Sequence, residues 1–165
     1  MVKKIQTEVK RVNGYLKEVV TFFDSTGKPI SHVMNPLMVE LRPRDITQIF
    51  IGSLLVSTPL CFTEEVWNLS ISLKLINIYY LMACSMFAVI AFVYFNFYRF
   101  KLRGHIIEFI KRIVAIYFIS TLSVILVLFL IDKLPVFKEP VIAFKRVVII
   151  AFPAIFGATV TDYLK

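Results

Sequence analysis

The chain has 165 residues and a mass of 19.1 kDa, the length of one domain. It is 58% apolar with a mean hydropathy of +0.78, above the roughly 45–50% of a soluble domain, yet nineteen basic against eleven acidic residues leave it at +8. An ordinary soluble enzyme and a disordered chain are both excluded, and a small multi-spanning membrane protein is the first expectation.

Residues 1–44 form a compositionally distinct, charged and polar segment with no secretory leader pattern. Asn13-Gly14 is a two-residue hairpin signal, Val19 to Phe23 is β-prone, and Asp24 to Gly27 is a second turn. Ile30 to Met34 and Leu37 to Leu41 can add extended strands. A three-stranded meander is expected; the competitor is an amphipathic helix, because Val2, Ile5, Val9, Val12 and Leu16 also fit helical spacing. Some forty residues bury little core alone, so the module must pack on the membrane part, a neighbouring subunit or the lipid surface.

Arg42-Pro43-Arg44-Asp45 marks the boundary. Pro43 holds Arg42 extended, and Asp45 is a helix N-cap candidate. From there the gaps between charges set the spans. Asp45 to Glu64 encloses 18 uncharged residues, Lys74 to Arg99 24, Arg112 to Asp132 19, and Arg146 to Asp162 15. A spanning helix needs about 20 mostly apolar residues. The fold expected is an all-α membrane protein: four transmembrane helices near 45–63, 75–98, 112–131 and 144–163 form a domain over 45–165, preceded by a small cytoplasmic β-rich module over 1–44. Lys145 and Arg146 would snorkel to extend the fourth span; the alternative is a re-entrant or interfacial segment.

Lys and Arg set the orientation. Fourteen lie in the N-terminal segment, the link between spans two and three and the C-terminus, and five lie in the other links and at the start of span four. Both termini are therefore expected in the cytoplasm of a multi-pass protein of the cell membrane. Arg42, Arg44, Arg99, Lys101 and Arg103 would meet anionic lipid headgroups, and the positive-inside pattern accounts for them without nucleic acid.

The first span ends in Ser57-Thr58-Pro59-Leu60-Cys61-Phe62-Thr63-Glu64-Glu65-Val66-Trp67. Pro59 removes a helical hydrogen bond, so a kink is expected near Leu55. The stretch from Thr63 to Ser72 reads as a short external link. Glu64 and Glu65 then have two readings: carboxylates in external water, or a cation or proton site at an outer mouth with Thr63 and Pro59 nearby. In a symmetric oligomer, one carboxylate per chain would make a cation-selecting ring.

In the fourth span Ala154 and Ala158, with Ala151 close to their stripe, form a small face, and Pro153 and Gly157 a second. Small residues such as these and Gly52 let helices approach closely in lipid, inside the bundle or between subunits. A hinge at Pro153 is the alternative. Asp162, near the cytoplasmic end, reads as a solvated carboxylate, with an inner gate or proton relay as the functional alternative.

Cys61 and Cys84 form no disulfide or zinc pattern, His32 and His105 are isolated, and phosphate- and dinucleotide-binding fingerprints are missing. No enzyme, metal or cofactor is expected. The partners expected are the bilayer, anionic headgroups and further copies of the chain in a homo-oligomer.

Arg42 to Leu69, with R-D-x-x-Q-x-x-x-G followed by a proline and T-E-E-V-W, resembles a family of uncharacterised prokaryotic integral membrane proteins. Ala151-Phe-Pro-Ala-Ile-Phe-Gly-Ala158 is similar to that family's last helix. The resemblance spans roughly 15–162. It implies a multi-helix fold and places Asp45, Gln48, Gly52, Pro59, Glu64, Glu65 and Trp67 in one pattern, without supplying an activity. Two functions follow as expectations: an oligomeric cation channel or small transporter, or a non-transporting scaffold or accessory subunit whose basic module binds lipid or a partner.

Overall fold

A computed structural model describes residues 4–12, 15–23, 29–36, 40–98 and 105–164. It divides into two compact units, Met1–Glu40 and Leu41–Lys165.

The first unit is an antiparallel meander of β1 (Lys4–Val12), β2 (Tyr15–Phe23) and β3 (Pro29–Pro36), in spatial order β1-β2-β3. Val12 opposes Tyr15 at one end of the first pair and Lys4 opposes Phe23 at the other. The β2–β3 register shifts at Phe22/Phe23. The segment that also fits helical spacing is thus strand over 4–12. Both turns named from the sequence, and residues 37–39, lie outside the described residues.

The second unit is helical: α1 (Pro43–Cys61), α2 (Glu64–Ser72), α3 (Leu75–Val93) continued by a π-helical turn Tyr94–Tyr98, α4 (Ile106–Leu130) and α5 (Pro140–Tyr163). Among the described residues, three stretches are long and apolar enough to cross a membrane: Leu75–Tyr98, Ile106–Leu130 and Pro140–Tyr163. A fourth qualifies only when α1 and α2, bent by 83°, count as one broken span. The last helix is the hub, in contact with α1, α2, α3 and α4. Its buried residues Ala151, Ala154, Ile155 and Ala158 explain why, since small side chains admit neighbours from several directions. Large exposed apolar residues such as Phe87, Phe118, Phe129 and Leu130 face outward, the arrangement of a bundle solvated by lipid.

Two expectations about the first span need correcting. The short link expected over Thr63 to Ser72 is, from Glu64 on, the helix α2. The backbone also does not break near Leu55: α1 runs through Pro59, and the bend falls at Phe62 and Thr63. Proline sits one turn from the helix end, where the chain finds other partners. Phe62 and Thr63 donate backbone N–H groups to Pro59 and Leu60 at 3.3 Å, Thr63 Oγ1 donates to the Leu60 carbonyl at 2.8 Å, and Trp67 Nε1 donates to the Cys61 carbonyl at 3.0 Å. The T-E-E-V-W sequence therefore builds a helix end and the next helix start.

A Schellman turn closes α4. The Lys133 N–H donates to Leu128 at 3.0 Å and the Asp132 N–H to Phe129 at 3.1 Å, with Asp132 at φ 53°. Glycine is the usual residue there because a Cβ costs about 1–2 kcal/mol in the left-handed region. Asp132→Gly is expected to raise stability by about 0.5–1 kcal/mol, read as a higher melting temperature in detergent. An unchanged or lower value would contradict this account of the turn.

Candidate functional site

At one end of the bundle three helices bring together the charged residues Asp45 (α1), Arg112 (α4) and Asp162 (α5). Each is at most 1% exposed. Arg112 Nη1 donates to Asp162 Oδ2 at 2.6 Å and Nη2 to Asp45 Oδ2 at 3.3 Å. With all three ionised the group carries a formal charge of −1.

Helix geometry explains why each needs the others. Asp45 lies in the first turn of α1, where exposed N–H groups favour negative charge, and its Oδ2 also accepts the Arg42 backbone N–H at 3.0 Å. Asp162 lies in the last turn of α5, against the negative end of that helix, and Arg112 lies in the second turn of α4. The Arg112 guanidinium offsets the unfavourable placement of Asp162. Aromatic rings cover it: the Phe97 ring stands 4.1 Å beneath the guanidinium, and Tyr163 packs edge-on against Phe97 and Phe92 at 6.0 and 5.9 Å. The π-helical turn brings Phe97 to this point, as such turns often do beside functional residues.

The sequence reading is corrected on two of these residues. Asp162 is buried and ion-paired, not solvated. Arg112, expected as the wet charge that opens the third span, is a buried residue of α4. A signal existed for both. Ala151, Ala154, Ala158 and Asp162 follow one another at spacings of three and four, so the stripe that packs Ala151 inward carries Asp162 inward too. Arg112, Ile116 and Ser120 share a face of α4 in the same way, and all are buried.

Above this group, α1 and α5 meet at glycines. A Cβ on Gly157 would come within 2.8 Å of the Gly52 carbonyl and also strike Val56, and one on Gly52 would strike Thr161 Oγ1 and lie 2.8 Å from the Gly157 carbonyl. Thr161 Oγ1 donates to the Gln48 carbonyl across the seam at 3.0 Å. Further along, Ser53, Ser57, Ser120 and Ser123 are buried on α1 and α4. Ser53 and Ser123 return their hydroxyls to their own helices at 2.8 Å. Among the described residues, the Ser57 and Ser120 hydroxyls have no protein partner.

A second buried arginine occupies the opposite end. Arg146, expected to snorkel, instead turns inward: Nη1 donates to the Lys133 carbonyl at 2.6 Å, and Nε and Nη2 to Ser70 Oγ at 3.3 Å. Lys145 Nζ donates to the Leu73 carbonyl at 2.7 Å. These bonds tie the bent α2 to the start of α5. Sixteen residues of α5 separate Arg146 from Asp162, about 24 Å of helix.

Of the other residues selected from sequence, Glu64 and Glu65 are exposed in the first turn of α2, Thr63 is half-buried just before them, and Pro59 is exposed. Arg42 is half-buried and Arg44 exposed. Arg99, Lys101 and Arg103 lie outside the described residues. The structure does not bring Glu64 and Glu65 to the buried carboxylates, which sit at the other end of α1. Among the described residues no three His, Cys, Asp or Glu side chains are placed to hold a metal ion.

No curated protein and no solved structure matches the chain. Residues 27–162, which include four helices whole and the fifth up to Asp162, both buried arginines and the T-E-E-V-W segment, match the family described as "Putative integral membrane protein (DUF2391)", and the chain belongs to that family.

Proposed function

We propose that this integral membrane protein spans the cell membrane four times, with both termini and the β-meander in the cytoplasm, and that it moves a cation without a catalytic step. The observation that carries the reading is the broken first span. An 83° bend separates α1 from α2, and the two helices meet at an acidic pair, Glu64 and Glu65. Ion pathways through membrane proteins use discontinuous helices of this kind, with carboxylates at the mouth gathering cations. Buried Ser57 and Ser120 hydroxyls on α1 and α4 supply polar positions between the two ends of the bundle. One copy encloses little space, so the pathway is proposed to be completed in a homo-oligomer, the usual symmetric arrangement. Arg42 and Arg44, with Arg99, Lys101 and Arg103, are proposed to meet anionic headgroups on the cytoplasmic side.

A second reading has its own support. The Asp45–Arg112–Asp162 group bonds internally, as the core of a non-transporting scaffold or accessory subunit would. Flux measurements in proteoliposomes separate the two. If a cation passes, Glu64→Gln and Glu65→Gln together lower flux by about tenfold, equivalent to ~1.4 kcal/mol. Flux of potassium, sodium and protons equal to that of empty liposomes leaves the scaffold as the function.

A further inference from the structure

We infer that the bundle carries a built site for one anionic phospholipid at the end where α4 turns into α5. Two adjoining cavities make it. The first, of about 420 Å³, opens between α3, α4 and α5, and Met82, Ile125, Phe144, Val147 and Phe152 are among its walls. Its tyrosine and serine do not offer polar binding, because Tyr117 Oη already donates to Ser85 Oγ at 2.7 Å and Ser85 Oγ to the Met82 carbonyl at 2.9 Å. Thr121 adds one hydroxyl, and the rest of the wall is apolar. Along α5 it runs from Pro140 to Ile155, about 22 Å of helix, enough for one acyl chain crossing a leaflet of ~15 Å.

The second cavity, of about 410 Å³, shares Leu134 and Val136 with the first and lies on the α4–α5 loop. Its charged lining is Lys133, Lys138 and Arg146 against Asp132 and Glu139, a formal excess of +1, with Lys145 one residue before Arg146. Arg146 is fixed by its bonds to Ser70 and Lys133, and Lys133 Nζ stands 4.3 Å over the Trp67 ring. An apolar channel of leaflet length that ends in a basic pocket at the membrane surface fits an amphiphile with a negative head. The acyl chain lies against α5 and the phosphate meets Lys133, Lys138 and Arg146.

The full chain, purified in mild detergent and mixed with phosphatidylglycerol, phosphatidylethanolamine or phosphatidylcholine, can be weighed intact by native mass spectrometry. One phosphatidylglycerol should stay bound per chain, in preference to both other lipids. Lys138→Gln should reduce that preference about fivefold, since one basic residue at the surface contributes about that much. Val147→Phe, which fills the channel, should abolish retention. Should Val147→Phe fail to fold, the native chain still decides, because its retention of the three lipids is compared without any variant. Equal retention of the three lipids, or a lipid-free dimer in which a second copy covers the channel, would overturn the proposal.

Discussion

Arg112→Ala should lower stability by about 3–5 kcal/mol, the largest loss expected from any single substitution here. The variant leaves Asp45 and Asp162 buried with their shared guanidinium gone, and the low-polarity surroundings magnify their repulsion. The control separates the worth of the group from the cost of breaking it. Replacing all three at once, with Asp45→Asn, Arg112→Met and Asp162→Asn, removes the charges together and should recover most of the loss, because an intact buried ion group gives back in attraction little more than it costs in desolvation. Unfolding in mixed micelles reads both variants. A single variant within about 1 kcal/mol of the native chain would show that water reaches the group.

Gly157→Leu is the second large effect. Backbone atoms of α1 lie too close for any side chain at this position, and Val56 closes the remaining space. Even Gly157→Ala must push the helices apart and should cost about 1–3 kcal/mol, with the leucine at or beyond the upper end. Gly52→Ala should behave alike and also displace the Thr161 hydroxyl from Gln48. Separation of α1 from α5 would weaken cross-linking between cysteines introduced at Gln48 and Thr161. Native-like melting and cross-linking in both alanine variants would refute the close seam.

The helical stretches were legible because charge is excluded from lipid, so gaps between charged residues mark where helices can lie. The same rule failed at the ends of those gaps. It treats every bounding charge as wet, and so it put Arg112, Arg146 and Asp162 outside when all three are inside. Charge counting cannot tell a residue that stops a span from one that enters the bundle with a partner. Face periodicity can, and on α5 the alanine stripe leads directly to Asp162. The helix α2 was missed for another reason. Its nine residues follow a proline and open with two glutamates, which read as loop signals, whereas acidic residues also suit a helix first turn. The pairing of Asp45 with Arg112, 67 positions away, had no local signal at all.

The ion group also has a consequence for biogenesis. Asp45 is synthesised first, its guanidinium 67 residues later, and Asp162 a further 50 residues after that. At about 5–20 residues per second, Arg112 waits some 3–10 seconds for its nearer carboxylate. Before Arg112 is made, α1, which passes as a span only together with the bent α2, holds an acid that the hydrocarbon rejects. Arg112 turns that acid into a neutral pair, so the burial of the first helix follows the arrival of α4 and does not wait for α5.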